Sequence, residues 1–143
     1  MKSKRFKPKL QENMRPDPII VFVCEHGAAK SIIAAAYFNR FAQERDLRLR
    51  AIARGTHPDS GLSAITVAGL HEDGLTPTES IPQKLSLEEI QAAEQIISFC
   101  ELPTEFQPNV KMEKWNDVPP VSQNYERARD IIMEHLRQLI NHL

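Results

Sequence analysis

Hydrophobic and polar positions along the chain follow two patterns, one typical of strands and one typical of helices. Residues 19–23 form an unbroken β-branched and aromatic run, which predicts a strand that is buried on both faces. Residues 47–55 alternate between apolar and polar positions and predict a second strand that is half exposed. The apolar runs 96–100 and 110–115 predict a third and a fourth strand.

Apolar residues at helical spacing separate these strands. Such spacing predicts a helix over 31–45, a short one over 62–73 that ends at Gly74, and a long amphipathic one over 125–143. Ser86 and Glu89 have the spacing of a capping box, which predicts a short helix ending near 93. Strands that alternate with helices predict an α/β fold with three layers, α/β/α, around a four-stranded parallel sheet.

Composition and charge indicate one globular domain and exclude several function classes. The chain has 143 residues, of which 41% are hydrophobic and 26% charged, with a net charge of -1. Residues 1–17 hold six basic and two acidic side chains, a net +4, which leaves -5 for the remainder. We expect 1–17 to be a flexible hydrated arm, rather than a contact for nucleic acid or membrane, and 18–143 to be a single domain. Because no apolar stretch approaches a membrane span or a signal-peptide core, we expect a cytoplasmic protein.

The two cysteines, Cys24 and Cys100, are too few for a secreted disulfide scaffold. No Cys/His spacing suggests a zinc site, and we expect neither a metal nor another cofactor. A free cysteine often packs as a small buried hydrophobe, so a cysteine alone does not indicate a reactive thiol. The residues around it in the sequence provide that indication.

The segment that follows the first strand, Cys24-Glu-His-Gly-Ala-Ala-Lys-Ser31, has the features of an anion-binding loop. Gly27 can adopt a left-handed conformation that turns successive N–H groups inward, and the following helix adds its positive dipole end. A thiol at the base of this loop is favoured as thiolate, and Ser31 is placed to donate a hydrogen bond to it. We therefore expect Cys24 to be the nucleophile, beneath an oxyanion held by Glu25, His26, Gly27, Ala28, Ala29 and Lys30.

This loop resembles the Cys-x5-Arg-Ser signature of the low-molecular-weight protein tyrosine phosphatase and arsenate reductase superfamily, in the variant Cys-x-His-Asn-Ala-x-Arg-Ser. The likeness extends over most of 19–143 and includes residues 53–58, 75–85 and 115–120, with Cys100 at the end of the third strand. The resemblance implies the fold of this superfamily and a substrate that is a phosphate ester, a phosphotyrosine protein or arsenate.

The resemblance also implies two mechanisms. In a phosphatase, the Cys24 thiolate attacks phosphorus, Lys30 and the loop amides stabilise the oxygens, and Asp117 protonates the leaving group. In an arsenate reductase, Cys24 forms the adduct and a second thiol, for which Cys100 is the candidate, attacks its sulfur; a thiol reductant then restores the enzyme. The alternative for Cys100 is a buried strand residue without a chemical role.

Two departures from the superfamily pattern keep another hypothesis open. Lys30 replaces an arginine and offers a point charge where a guanidinium would bind two oxygens at once, so Arg54 is a candidate for the missing guanidinium. Asp117 is separated from Pro119 by Val118, and a loop or helix-capping role is its alternative. The second hypothesis is therefore a non-catalytic oxyanion-binding or regulatory protein.

Overall fold

The computed structural model describes residues 17–107 and 112–143, and a sheet of four parallel strands lies at its centre. The strands are β1 (Ile19–Cys24), β2 (Arg50–Gly55), β3 (Ala93–Ser98) and β4 (Met112–Lys114), in the order β2-β1-β3-β4. The helices are α1 (Lys30–Glu44), α2 (Ala64–Glu72), α3 (Leu87–Ala92) and α4 (Tyr125–Asn141), with a 3-10 turn at Thr104–Phe106. This confirms the predicted α/β fold with its four-stranded parallel sheet. The expected arm lies outside the described residues except for Asp17, which pairs with Arg48.

Helices cover both faces of the sheet, but unequally. Because side chains alternate along a strand, each face receives every second residue of β1. Ile20, Phe22 and Cys24 face the larger apolar cluster, which α1 and α4 complete. Val21 and Val23 face a smaller cluster, covered by α3 and the 3-10 turn. None of the helices in 17–107 and 112–143 has the length and apolarity needed to cross a membrane.

The boundaries of two strands differ from the prediction for local reasons. β3 ends at Ser98, because the Ser98 hydroxyl donates to the Cys100 carbonyl oxygen at 2.6 Å and accepts from the Cys100 N–H at 3.2 Å. Cys100 therefore follows the strand instead of ending it. β2 begins only at Arg50, since the Leu47 N–H still bonds to the Ala42 carbonyl at the end of α1. Of the predicted fourth strand, 110–111 lie outside the described residues.

A partly buried carboxylate joins three helices on the larger face. Asp73, directly after α2, accepts hydrogen bonds from Tyr37 of α1 at 2.5 Å and from Tyr125 of α4 at 2.9 Å. The guanidinium of Arg129 lies 3.2 Å from the same carboxylate. Burial alone would raise the pKa of Asp73, but the two tyrosine hydroxyls and the charge of Arg129 outweigh burial and lower that pKa. Asp73 is consequently a charged anchor for α1, α2 and α4 at neutral pH.

We expect Asp73→Asn to lower the free energy of unfolding at pH 7 by about 1.5–3 kcal/mol, because hydrogen bonds to a charged group are lost. A carboxylate whose pKa is lowered on folding stabilises the protein above its unfolded pKa, and this contribution disappears as the pH falls through the folded pKa. The difference between wild type and variant should therefore shrink below about pH 4. Urea unfolding at pH 7 and pH 3 measures it, with the exposed Glu72→Gln as control. An undiminished difference at pH 3 would contradict the assignment.

Candidate functional site

The loop between β1 and α1 is shaped by a neighbouring loop, residues 56–63, that follows β2. Four carbonyl oxygens of the loop between β1 and α1 accept hydrogen bonds from backbone N–H groups of residues 56–63, at 2.7–3.2 Å. Cys24 accepts from Thr56, Glu25 from His57, His26 from Asp59 and Ala28 from Ser63. A trans peptide places its N–H opposite its C=O. The N–H groups of Glu25, His26, Gly27 and Ala29 therefore point to the other side, and none of them bonds to another described residue. The loop is a cup of free N–H donors, as an oxyanion requires.

Two glycines allow the two loops to lie in backbone contact. Gly27 has a φ of +62°, a conformation that side chains disfavour. A Cβ on Gly27 would lie 2.9 Å from the Gly55 nitrogen, and a Cβ on Gly55 would lie 2.7 Å from the Gly27 nitrogen. Any side chain at either position would push the loops apart.

The nucleophile candidate lies at the base of this cup. Cys24 is only 8% exposed, and its Sγ lies 3.0 Å from the Oγ of Ser31, which is fully buried. No side chain among the described residues caps α1, so the N–H groups of its first turn remain available to an anion along with the loop amides. The predicted relation between Cys24, Ser31 and the helix N-terminus is present in the structure.

The Lys30 ammonium bonds to another part of the chain, whereas the sequence predicts that it binds the oxyanion. Its Nζ donates to the carbonyl oxygen of Val118 at 2.8 Å, in the segment between β4 and α4. Lys30 still lines the same pocket as Cys24. In this structure its ammonium therefore joins α1 to the segment 115–124.

Arg54 is not part of the cup, and this corrects the expectation that it supplies the missing guanidinium. Arg54 pairs in register with Val23, so its side chain lies on the face of the sheet opposite to Cys24. There it bonds to Glu89 at 2.7 Å and to Glu79 at 3.1 Å. The guanidinium is used to attach β2 to α3 and the segment before it.

Asp117 is not brought to the nucleophile either. Its carboxylate lies 2.8 and 3.1 Å from Nε2 of His135, whose ring stacks on Trp115. It lines a separate surface depression along α4, and the Cys24 pocket does not include it. This placement does not fit the role of general acid that the resemblance implies for Asp117.

Cys100, in contrast, lies in the same pocket as Cys24. Burial raises the pKa of the Cys100 thiol, and the negative charges of Cys24 and Glu25 act in the same direction, against the contacts of the thiol with the Ser98 and Thr56 side chains. The Cys100 thiol is therefore protonated at neutral pH.

The pocket, of about 420 Å³, holds three further polar residues that the sequence did not single out, Asp59, Ser63 and Ser122. Asp59 and Ser63 belong to the loop that follows β2. The carboxyl ends of β1 and β2 meet at one edge of the sheet, and ligands bind at such edges. The position of the turn residues directly after the second predicted strand therefore indicates, from the sequence alone, that they lie near the ligand site.

Comparison with known proteins places this geometry in a recognised fold. No protein-family profile matches the chain. The chain is 28% identical over 116 residues to a protein of Halobacterium salinarum named "Putative arsenate reductase". The aligned region covers 77% of this chain and 80% of that protein.

Two solved structures are similar over nearly their whole length. A low-molecular-weight protein tyrosine phosphatase from T. tengcongensis superposes with a TM-score of 0.78 at 18% identity, over 88% of this chain and 99% of that one. An arsenate reductase from Archaeoglobus fulgidus gives 0.70 at 23% identity, over 85% and 98%. The chain therefore has the fold of these two classes of protein, and the resemblance drawn from its loop sequence is confirmed.

We expect Gly27→Ala to weaken phosphate binding by about tenfold or more, because an L-residue in the left-handed region costs about 1–2 kcal/mol and the added Cβ separates the loops. Isothermal titration with inorganic phosphate measures the affinity. Gly61→Ala is the matched control, since a Cβ there meets no atom of residues 17–107 and 112–143 within 4 Å. Equal affinities for the two variants would show that the contact with Gly55 does not shape the cup.

Proposed function

We propose that this chain is a cysteine-dependent enzyme acting on a phosphate-like oxyanion, either a phosphatase or an arsenate reductase. The observation that carries the proposal is the Cys24 Sγ at 3.0 Å from the Ser31 Oγ, at the base of a cup of free N–H groups. The names of the similar proteins support both chemistries. The proposed substrates are a phosphate ester, a phosphotyrosine protein or arsenate, met in the reducing cytoplasm, where the thiol stays reduced.

As a phosphatase, the site works in two displacements. The Cys24 sulfur forms a bond to phosphorus while the bond to the leaving oxygen breaks, and that oxygen takes up a proton. Water then attacks phosphorus, the phosphorus–sulfur bond breaks and the electron pair returns to sulfur as inorganic phosphate leaves. The loop amides stabilise the charge on the equatorial oxygens in both steps.

As an arsenate reductase, the site uses both thiols. Cys24 displaces an oxygen of arsenate as water and forms an arsenic–sulfur bond. Cys100 then attacks the Cys24 sulfur; a disulfide forms, the arsenic–sulfur bond breaks, and its electron pair reduces arsenic to arsenite. An external thiol reduces the disulfide.

The pKa of Cys100 suits this order of events. The negative charge of Cys24 contributes to raising the pKa of the Cys100 thiol. In the adduct the negative charge lies on the arsenate oxygens, where the loop amides and the helix N-terminus offset it, and no longer on the Cys24 sulfur. The sulfur that Cys100 attacks is then less negative than in the free enzyme, which favours attack on the adduct.

A specific observation favours a second candidate, an oxyanion-binding protein without turnover. Lys30 is bound to a carbonyl oxygen and Asp117 to His135. The two groups that the superfamily resemblance implies for charge stabilisation and proton transfer are therefore both engaged elsewhere. The cup alone is sufficient for binding an anion.

We expect the wild-type protein to hydrolyse para-nitrophenyl phosphate or to reduce arsenate in the presence of thiol, and Cys24→Ser to abolish either activity. His71→Gln, an exposed change on α2, is the matched control. Cys100→Ser should lower arsenate reduction far more than ester hydrolysis, because only the former needs a second thiol. Tight phosphate binding by wild type without turnover of either substrate would support the binding protein and contradict the enzyme.

A further inference from the structure

The proposed reaction needs a group that moves protons, and Asp117 is not in the pocket that holds Cys24. Among the described residues that line this pocket, the titratable groups besides the thiols and Lys30 are Glu25, His26 and Asp59. Two of them, His26 and Asp59, form a pair. They come from the two loops whose backbone hydrogen bonds build the cup.

The surroundings of His26 determine which ring nitrogen carries the proton. Its Nδ1 lies 3.3 Å from the carbonyl oxygen of His57 and 3.3 Å from Oδ1 of Asp59. A carbonyl oxygen can only accept a hydrogen bond, and so can an ionised carboxylate. Nδ1 is therefore the donor, and Nε2 is the nitrogen that gains and loses a proton.

Asp59 contacts both the ring and the main chain of His26. Its carboxylate faces Nδ1, and its backbone N–H donates to the His26 carbonyl oxygen at 3.1 Å. Both side chains are more than half exposed, at 56% for His26 and 55% for Asp59. An exposed pair contributes little to stability, so the consequence of the contact is the orientation of the ring and its tautomer.

Nε2 lies on the opposite side of the ring from these contacts. Oε1 of Glu25 lies 3.8 Å from it, beyond hydrogen-bond distance. Nε2 is therefore free to exchange a proton with a substrate or with water. His26 is two residues from Cys24 on the loop that holds the anion.

We propose that His26, oriented by Asp59, is the acid–base residue of this site. The inference rests on the proposed function and adds to it the group that transfers the proton. In the first displacement the imidazolium gives its Nε2 proton to the leaving oxygen, which keeps the electron pair of the broken phosphorus–oxygen bond. In the second, neutral Nε2 takes a proton from the water that attacks phosphorus, while the pair of the phosphorus–sulfur bond returns to Cys24. Asp59 is a positioning residue, which acts through its contact with the His26 ring.

The test compares two esters, because protonation matters for a poor leaving group and hardly for a good one. We expect His26→Gln to lower kcat/KM for phenyl phosphate by about 10²-fold or more, and for 2,4-dinitrophenyl phosphate by less than about threefold. Asp59→Asn should give a smaller loss with the same dependence on the leaving group. His57→Gln is the matched control, since it retains the backbone carbonyl that accepts from His26.

Equal losses on both esters for His26→Gln would overturn the inference, as would a leaving-group-dependent loss in Asp117→Asn instead. Wild-type turnover that disappears in Cys24→Ser while His26→Gln has no effect contradicts the inference alone. Absence of wild-type turnover of both esters and of arsenate contradicts the proposed function as well. Nitrogen-15 NMR of the histidine rings tests the inference without any turnover, because it shows which nitrogen of neutral His26 carries the proton. The inference requires the proton on Nδ1, and a proton on Nε2 would overturn it.

Discussion

The site depends on the backbone pairing between two loops at one edge of the sheet. Each carbonyl of the first loop that bonds to the second turns the following N–H toward the ligand side. The anion cup is therefore made by hydrogen bonds on its outer surface, and side chains contribute little to its shape. Gly27 and Gly55 are required because these bonds bring the two main chains closer than a Cβ allows.

The rest of the fold holds this pairing in place. β1 and β2 are adjacent and in register up to Cys24 and Gly55, so both loops leave the sheet at the same level. α1 lies against both strands, and the Asp73 carboxylate fixes it to α2 and α4 through Tyr37 and Tyr125. α1 therefore begins at the cup, and its contacts with two strands and two helices determine its position.

Features that depend on contiguous residues could be predicted from the sequence. The strand, the cup, Cys24 and Ser31 lie within thirteen consecutive residues, and hydrophobic pattern, glycine and hydroxyl suffice to define them. Arg54 was misplaced because its role depends on which face of β2 it occupies, and that follows only from the register with Val23. Asp117 and Asp59 depend on loops that meet through the fold, and no local pattern shows which of them faces the thiol. The end of β3 was missed because a serine side chain, and not a change in hydrophobicity, ends that strand.

The bond between Lys30 and the Val118 carbonyl gives the site a thermodynamic linkage. A bound dianion and the segment 115–124 compete for the same ammonium. If the anion draws Lys30 toward the cup, the segment loses its attachment to α1, and by reciprocity any partner that fixes this segment lowers the affinity of the cup by the same factor. An arginine carries its donors on three nitrogens that face different directions and reach two partners at once, whereas a lysine has a single nitrogen. With lysine, the position of a surface segment that includes two pocket residues, Val121 and Ser122, is coupled to whether the cup is occupied.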